Sequence, residues 1–141
     1  MPLKTSLPAD IGRRLESLGD VLATTCPAIE FAYLFGSAAA GTTTSRSDID
    51  LAIYLAEHAD QHLVLLETSR VAARHLQTDT IDVVSLNTAP VALAGRVLTS
   101  RRVIVDRRPF VRHRYESRTA RLFQDFRIRE HRLLAARYAR G

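Results

Sequence analysis

Gly36 and Ser37 are separated from Asp48 by ten residues, and Asp50 follows Asp48 by two. If residues 48 to 55 form a strand, both carboxylates project from one face, close enough to repel. They must share a proton, pair with an arginine or bind a cation. Hard carboxylate oxygens favour Mg²⁺ or Mn²⁺ over zinc, which makes a divalent ion the economical solution. A third acid, Asp82, lies between Ile81 and Val83-Val84, in a segment expected beside the strand of Asp50. Such a cluster can hold two ions roughly 3.5–4 Å apart, as in-line phosphoryl transfer requires. Asp48 and Asp50 would then be metal ligands, with Asp82 binding the second ion and helping to deprotonate an acceptor hydroxyl. Gly36 lets a phosphate approach the backbone, while Ser37 offers a hydroxyl and opens a helix whose free N–H groups favour anions. The structural alternatives are a capped turn for Asp48 and Asp50 and an arginine partner for Asp82.

The surrounding pattern predicts the elements that would carry these residues. Ile11, Leu15, Leu18 and Leu22 mark an amphipathic helix between Pro8 and Cys26. Ile29 to Phe35, β-branched and aromatic, reads as a first strand ended by glycine. Ser37-Ala38-Ala39-Ala40-Gly41 suits a short helix, and Thr42 to Ser47 a loop. In the strand from Asp48 to Leu55, Ile49, Leu51 and Ile53 share the face opposite the aspartates. Leu63, Leu66, Arg70, Ala73 and Leu76 form a helical stripe within Asp60 to Gln77, with Arg74 and His75 late in the helix as the macrodipole prefers. Thr80 to Leu86 predicts a third strand, Val91 to about Leu98 a helix, and Arg102 to Val105 a short fourth strand. From Pro109 to Tyr138 one or two helices follow, with Phe110, Leu122, Phe126 and Leu133 expected inside. The fold class is α/β (α+β): a small mixed sheet flanked by helices, with a basic helical extension. We divide it into a domain over residues 1–106 and an extension over 107–141 packed on the same domain.

Composition limits the alternatives. The chain has 141 residues, 46% of them hydrophobic and 25% charged, enough for a folded domain with a real core. Cys26 is the only cysteine, which excludes an internal disulfide and any thiolate metal cluster within the chain. Met1 to Asp10 has no apolar run of signal-peptide length, and no stretch approaches the roughly 18 apolar residues of a membrane span. A cytoplasmic protein is expected. Net charge is +5, but from Arg96 onward 14 Lys/Arg face 4 Asp/Glu, whereas before it 6 face 11. Such asymmetry fits an acidic partner surface, nucleic acid, or a solvated arginine-rich helix. The tail does not repeat a nucleic-acid-binding module, so a protein partner is preferred over direct nucleic-acid binding. His58 and His62 have the i, i+4 spacing of a zinc pair but no third ligand in a recognised arrangement, and read as surface histidines. Tyr33 and Tyr54 read as core aromatics.

The pattern Gly-Ser-x10-Asp-x-Asp, with a third aspartate on a following strand, resembles the nucleotidyltransferase superfamily with the DNA polymerase β type of fold. LFGSAAAG, SRSDIDLAIYL, TIDVVSLNTAP and RVLTSRRVIVDR are similar to the minimal nucleotidyltransferases, specifically the MntA-type antitoxins paired with HepT, a HEPN-domain toxin. The resemblance covers roughly residues 10 to 130. It implies transfer of AMP from ATP, with Mg²⁺, to a tyrosine hydroxyl of the toxin, a ribonuclease thereby neutralised in a hetero-oligomer. By position, Gly36 and Ser37 match the nucleotide-binding pair, and Asp48, Asp50 and Asp82 the catalytic carboxylates. Many relatives have a Gly-Ser-Arg-x-Arg-Gly arrangement where this chain has Ala38, Ala39 and Ala40. Arg46 is near enough in sequence to replace the missing charge and is expected to aid ATP binding.

Two other functions keep the fold. A small-molecule acceptor, such as an aminoglycoside, would need a way to enclose the drug, and the chain shows no obvious second domain. An antitoxin acting by binding alone would use the basic tail as its contact surface.

Overall fold

The structure, a computed structural model, describes residues 6–139; the first half of the Met1 to Asp10 segment, read for a signal-peptide run, lies outside this range. Among the described residues nine elements follow in the order α1 (Ile11–Thr25), β1 (Ile29–Phe35), α2 (Ser37–Ala40), β2 (Ile49–Leu55), α3 (Gln61–Leu76), β3 (Ile81–Ser85), α4 (Val91–Thr99), β4 (Arg102–Asp106) and α5 (Pro109–Ala139). The four strands form one sheet in the order β3-β2-β1-β4. β1 runs antiparallel to both neighbours, and β2 and β3 are parallel, so the sheet is mixed as expected. A parallel pair requires a crossover, which α3 supplies.

Alternation along the strands divides the core between two faces. Ala32, Leu34, Ile49, Leu51 and Ile53 pack with Leu15, Leu18 and Leu22 of α1 and with Val64, Ala72 and Leu76 of α3. On the other face Phe31, Tyr33 and Ala52 meet Val97 and Leu98 of α4, with Val111 and Tyr115 of α5 against them. The aspartates at 50 and 82 alternate onto this second face, beyond its apolar cover. Tyr33 is fully buried, and the half-buried Tyr54 stacks on Phe31 at 4.7 Å between centroids, so both are core aromatics.

Two helix phases differ from the sequence reading. In α3 the buried row is Val64, Thr68, Ala72 and Leu76, whereas Leu63 and Leu66 are exposed. Apolar residues mark more than one face of this helix, and packing against α1 and β3 selects the i+4 row. Asp60 caps the helix, its carboxylate accepting the Leu63 N–H at 3.2 Å. α5 is a single helix of 31 residues, about 46 Å long. Phe110, Leu122 and Leu133 are exposed, Phe126 is half-buried, and the inward row is Val111, Tyr115, Thr119 and Phe123. Tyr115 sets this phase by meeting both Phe31 and Tyr54. The adjacent Glu116 accepts the Tyr33 hydroxyl at 2.8 Å and pairs with Arg101 and Arg112. Residues 127–139 are all exposed, so the second half of α5 projects from the body. No helix among the described residues is long and apolar enough to cross a membrane.

Candidate active site

Strand register brings the aspartates together. Asp50 opposes Phe35, the last residue of β1, and lies beside Asp82 in the parallel β2–β3 pair. Asp48 immediately precedes β2, so its carboxylate comes from the loop end: the strand starts at Ile49, one residue later than expected. The register is fixed by a burial pattern in which Ile49, Leu51 and Ile53 are fully buried; a one-residue slip would turn them out and the acids in.

Gly36 follows β1 with φ +67°, ψ −146°, and a Cβ placed there would lie 2.7 Å from Asp50 Oδ2. Both the positive φ and the contact require glycine. Its N–H donates to the Ser100 hydroxyl at 3.1 Å, across 64 residues of sequence. Ser37 then opens α2, which closes at Gly41 in the left-handed region, φ +72°. The Ser37 side chain makes no hydrogen bond among the described residues. Ala38 is buried in the core under the sheet and Ala39 packs against it.

Thr44 and Ser47 close the loop: the Thr44 N–H donates to Ser47 Oγ at 2.8 Å and the Ser47 N–H to the Thr44 carbonyl at 3.1 Å. Arg46 sits exposed within this turn, and its guanidinium makes no ion pair among the described residues. The structure therefore places Gly36, Asp50 and Asp82 in one constellation, Asp48 at its edge and Arg46 on the adjoining loop. Ser100 had no signal in the sequence, since a serine ending a helix is unremarkable without the fold.

Asp50 is half-buried, while Asp48 and Asp82 are exposed. Burial raises the Asp50 carboxyl above the ordinary aspartate range, and the charges of Asp82 and then Asp48 push it further up. None of the three has an ion-pair partner among the described residues. No group of three His, Cys, Asp or Glu side chains is gathered to hold a single ion jointly among the described residues. The donor set nevertheless fits a hard cation in kind, being carboxylates only, crowded around one half-buried member with no counter-charge. His58 and His62 are exposed.

The sequence profile of the family described as Polymerase beta, Nucleotidyltransferase matches residues 16–110. Protein adenylyltransferase MntA of Shewanella oneidensis (strain MR-1) is 36% identical over 73 residues, 52% of this chain and 51% of that protein. The chain thus spans about half the length of the curated relative it matches. A toxin-antitoxin crystal structure with AMP-PNP has a similar fold, with TM-score 0.68, 24% identity, and coverage of 89% of this chain and 96% of that chain. So does a structure of tri-AMPylated Shewanella oneidensis HEPN toxin in complex with MNT antitoxin, with TM-score 0.63, 21% identity, and coverage of 89% and 94%. With a profile match over more than half its length and the corresponding fold, the chain belongs to the Polymerase beta, Nucleotidyltransferase family.

Proposed function

We propose that this protein transfers AMP from ATP to a tyrosine hydroxyl of a HEPN-domain ribonuclease toxin and so neutralises it, the two forming a hetero-oligomer. The observation that carries this reading is the register setting Asp50 beside Asp82, with Asp48 two residues before and the Gly36 backbone against Asp50. Its support among relatives is the adenylyltransferase MntA, and the antitoxin fold found in complex with a tri-AMPylated toxin.

Asp48 and Asp50 would hold one Mg²⁺ or Mn²⁺ ion and Asp82 a second. Such ions supply phosphate charge neutralisation and lower the pKa of a bound hydroxyl. Gly36, lacking a side chain, leaves space for phosphate oxygens at the backbone, and the Ser37 hydroxyl donates to one of them. Arg46 offsets triphosphate charge in place of the arginines that Ala38 and Ala40 replace. Asp82 accepts the phenolic proton; the tyrosine oxygen bonds to the α-phosphorus as the bond to the leaving pyrophosphate breaks.

Mass spectrometry of a cognate HEPN-domain protein, incubated with this protein, ATP and Mg²⁺, should show added adenylyl units. Asp48→Asn or chelation should abolish the change, and Arg46→Ala should weaken ATP binding by about tenfold. No mass change with the wild-type protein under varied metals rejects the reading, and unchanged ATP affinity rejects the role of Arg46. The apolar packing of Ala38 and Ala39 favours one rival, inhibition by binding alone. Stoichiometric neutralisation by Asp48→Asn/Asp50→Asn without nucleotide would establish that rival.

A further inference from the structure

α4, the residues just after it and α5 from Glu116 to Arg132 line a groove of about 780 Å³. Leu98, Phe123 and Ile128 contribute its apolar lining, and Arg127, His131 and Arg132 its cationic one. Its single acid, Glu116, is occupied by Arg101 at 2.9 Å and Arg112 at 3.1 Å. Arg127 and Arg132 have no ion-pair partner among the described residues, and the Arg127 guanidinium lies 5.8 Å from the Phe123 ring centroid. The groove therefore offers uncompensated positive charge next to apolar surface. Thr99 and Arg101, in its wall, flank Ser100, whose hydroxyl holds the Gly36 N–H.

We propose that this groove docks an acidic segment, with an apolar anchor, of the protein that accepts the nucleotidyl group. The proposal rests on the nucleotidyltransferase reading of the aspartate site and adds where the acceptor is held and what chemistry selects it. Charge complementarity argues for carboxylates, which arginine receives with two parallel hydrogen bonds. The basic residues favour protein over nucleic acid. The chain's single lysine is Lys4, so the tail is basic through arginine alone, and protein interfaces enrich arginine and deplete lysine. Leu98 and Ile128 suit an apolar side chain seated between charged neighbours.

The test measures anisotropy of two fluorescent probes, a random glutamate–tyrosine copolymer and an oligouridylate of equal charge. The copolymer should bind the full chain more tightly than the oligouridylate. Arg127→Glu/Arg132→Glu should weaken its binding by about tenfold or more, while Arg121→Glu/Arg129→Glu, exposed positions outside the groove, should change it little. Equal losses in the two double variants would reduce the effect to overall charge and overturn the proposal. So would preferential oligouridylate binding. With the HEPN protein as acceptor, the groove variant should raise the acceptor KM and leave the ATP KM unchanged. Absence of AMP transfer in the wild type would defeat the reading of the aspartate site, whereas the copolymer measurement judges the groove independently of catalysis.

Discussion

With Asp82 beside it and Asp48 just before it, the Asp50 carboxylate is held above its ordinary range by burial and by two like charges. The folded state therefore binds that proton more tightly than the unfolded chain. The stabilisation this gives is fully present at acid pH, below the unfolded value, and is lost as pH rises through the raised folded value. Ionised Asp50 works against folding when no cation is bound. In chelator, Asp50→Asn should raise Tm at pH 7 by roughly 2–4 °C, with the gain vanishing toward acid pH. Calorimetry across pH reads this directly, and a lower Tm for the variant at pH 7 would contradict it. Gly36 acts in the opposite sense, because its special backbone and lack of a side chain are what let Asp50 sit there at all. The aspartate pattern was legible in the sequence because two carboxylates two apart at a strand entry repel and must share a proton, pair with an arginine or bind a cation. Ser100 was not, because its role exists only once β4 and α4 bring it to Gly36.

At the scale of elements, α4 and α5 meet at Gly95, where an added Cβ would lie 2.1 Å from Phe123 Cγ. That atom is at the base of the ring, so the clash cannot be relieved by moving a side-chain tip. Gly95→Ala should cost about 1–3 kcal/mol in denaturant unfolding, and should be partly rescued by Phe123→Ala in the same chain. Full stability of the single variant would show that the crossing tolerates more separation. A glycine inside a helix reads from sequence only as a local penalty; its use is visible after Phe123 is placed across from it. The same limitation explains the two misread helix phases. The facing of β2 was readable because the period-two pattern of Ile49, Leu51 and Ile53 leaves one solution. α5 carries apolar residues on several sides, and Tyr115 and Glu116 choose among them through partners on β1 and β2 and through Arg101, just before β4.

Considered whole, the molecule separates its charge. Acids exceed bases before Arg96, and bases dominate after it. The site that would receive metal and nucleotide lies in the acidic part, and the proposed acceptor groove is lined from the basic part. Long-range attraction to an acidic acceptor should therefore be screened by salt. Raising ionic strength from about 0.01 to 0.1 M shortens the Debye length from about 30 to about 10 Å. The acceptor KM should rise several-fold over that range with kcat nearly constant; a fall in kcat at fixed KM would place the salt effect in catalysis instead.

The projecting half of α5 has a consequence of another kind. A free peptide of that length would be a poor helix in water, because the first turn is costly to nucleate. Here Val111, Tyr115, Thr119 and Phe123 already fix the preceding turns against the body, so the outer turns need only propagate from a seeded template. A partner meeting this helix encounters a shaped surface rather than a chain it must first order, and less of its contact energy is spent on that ordering.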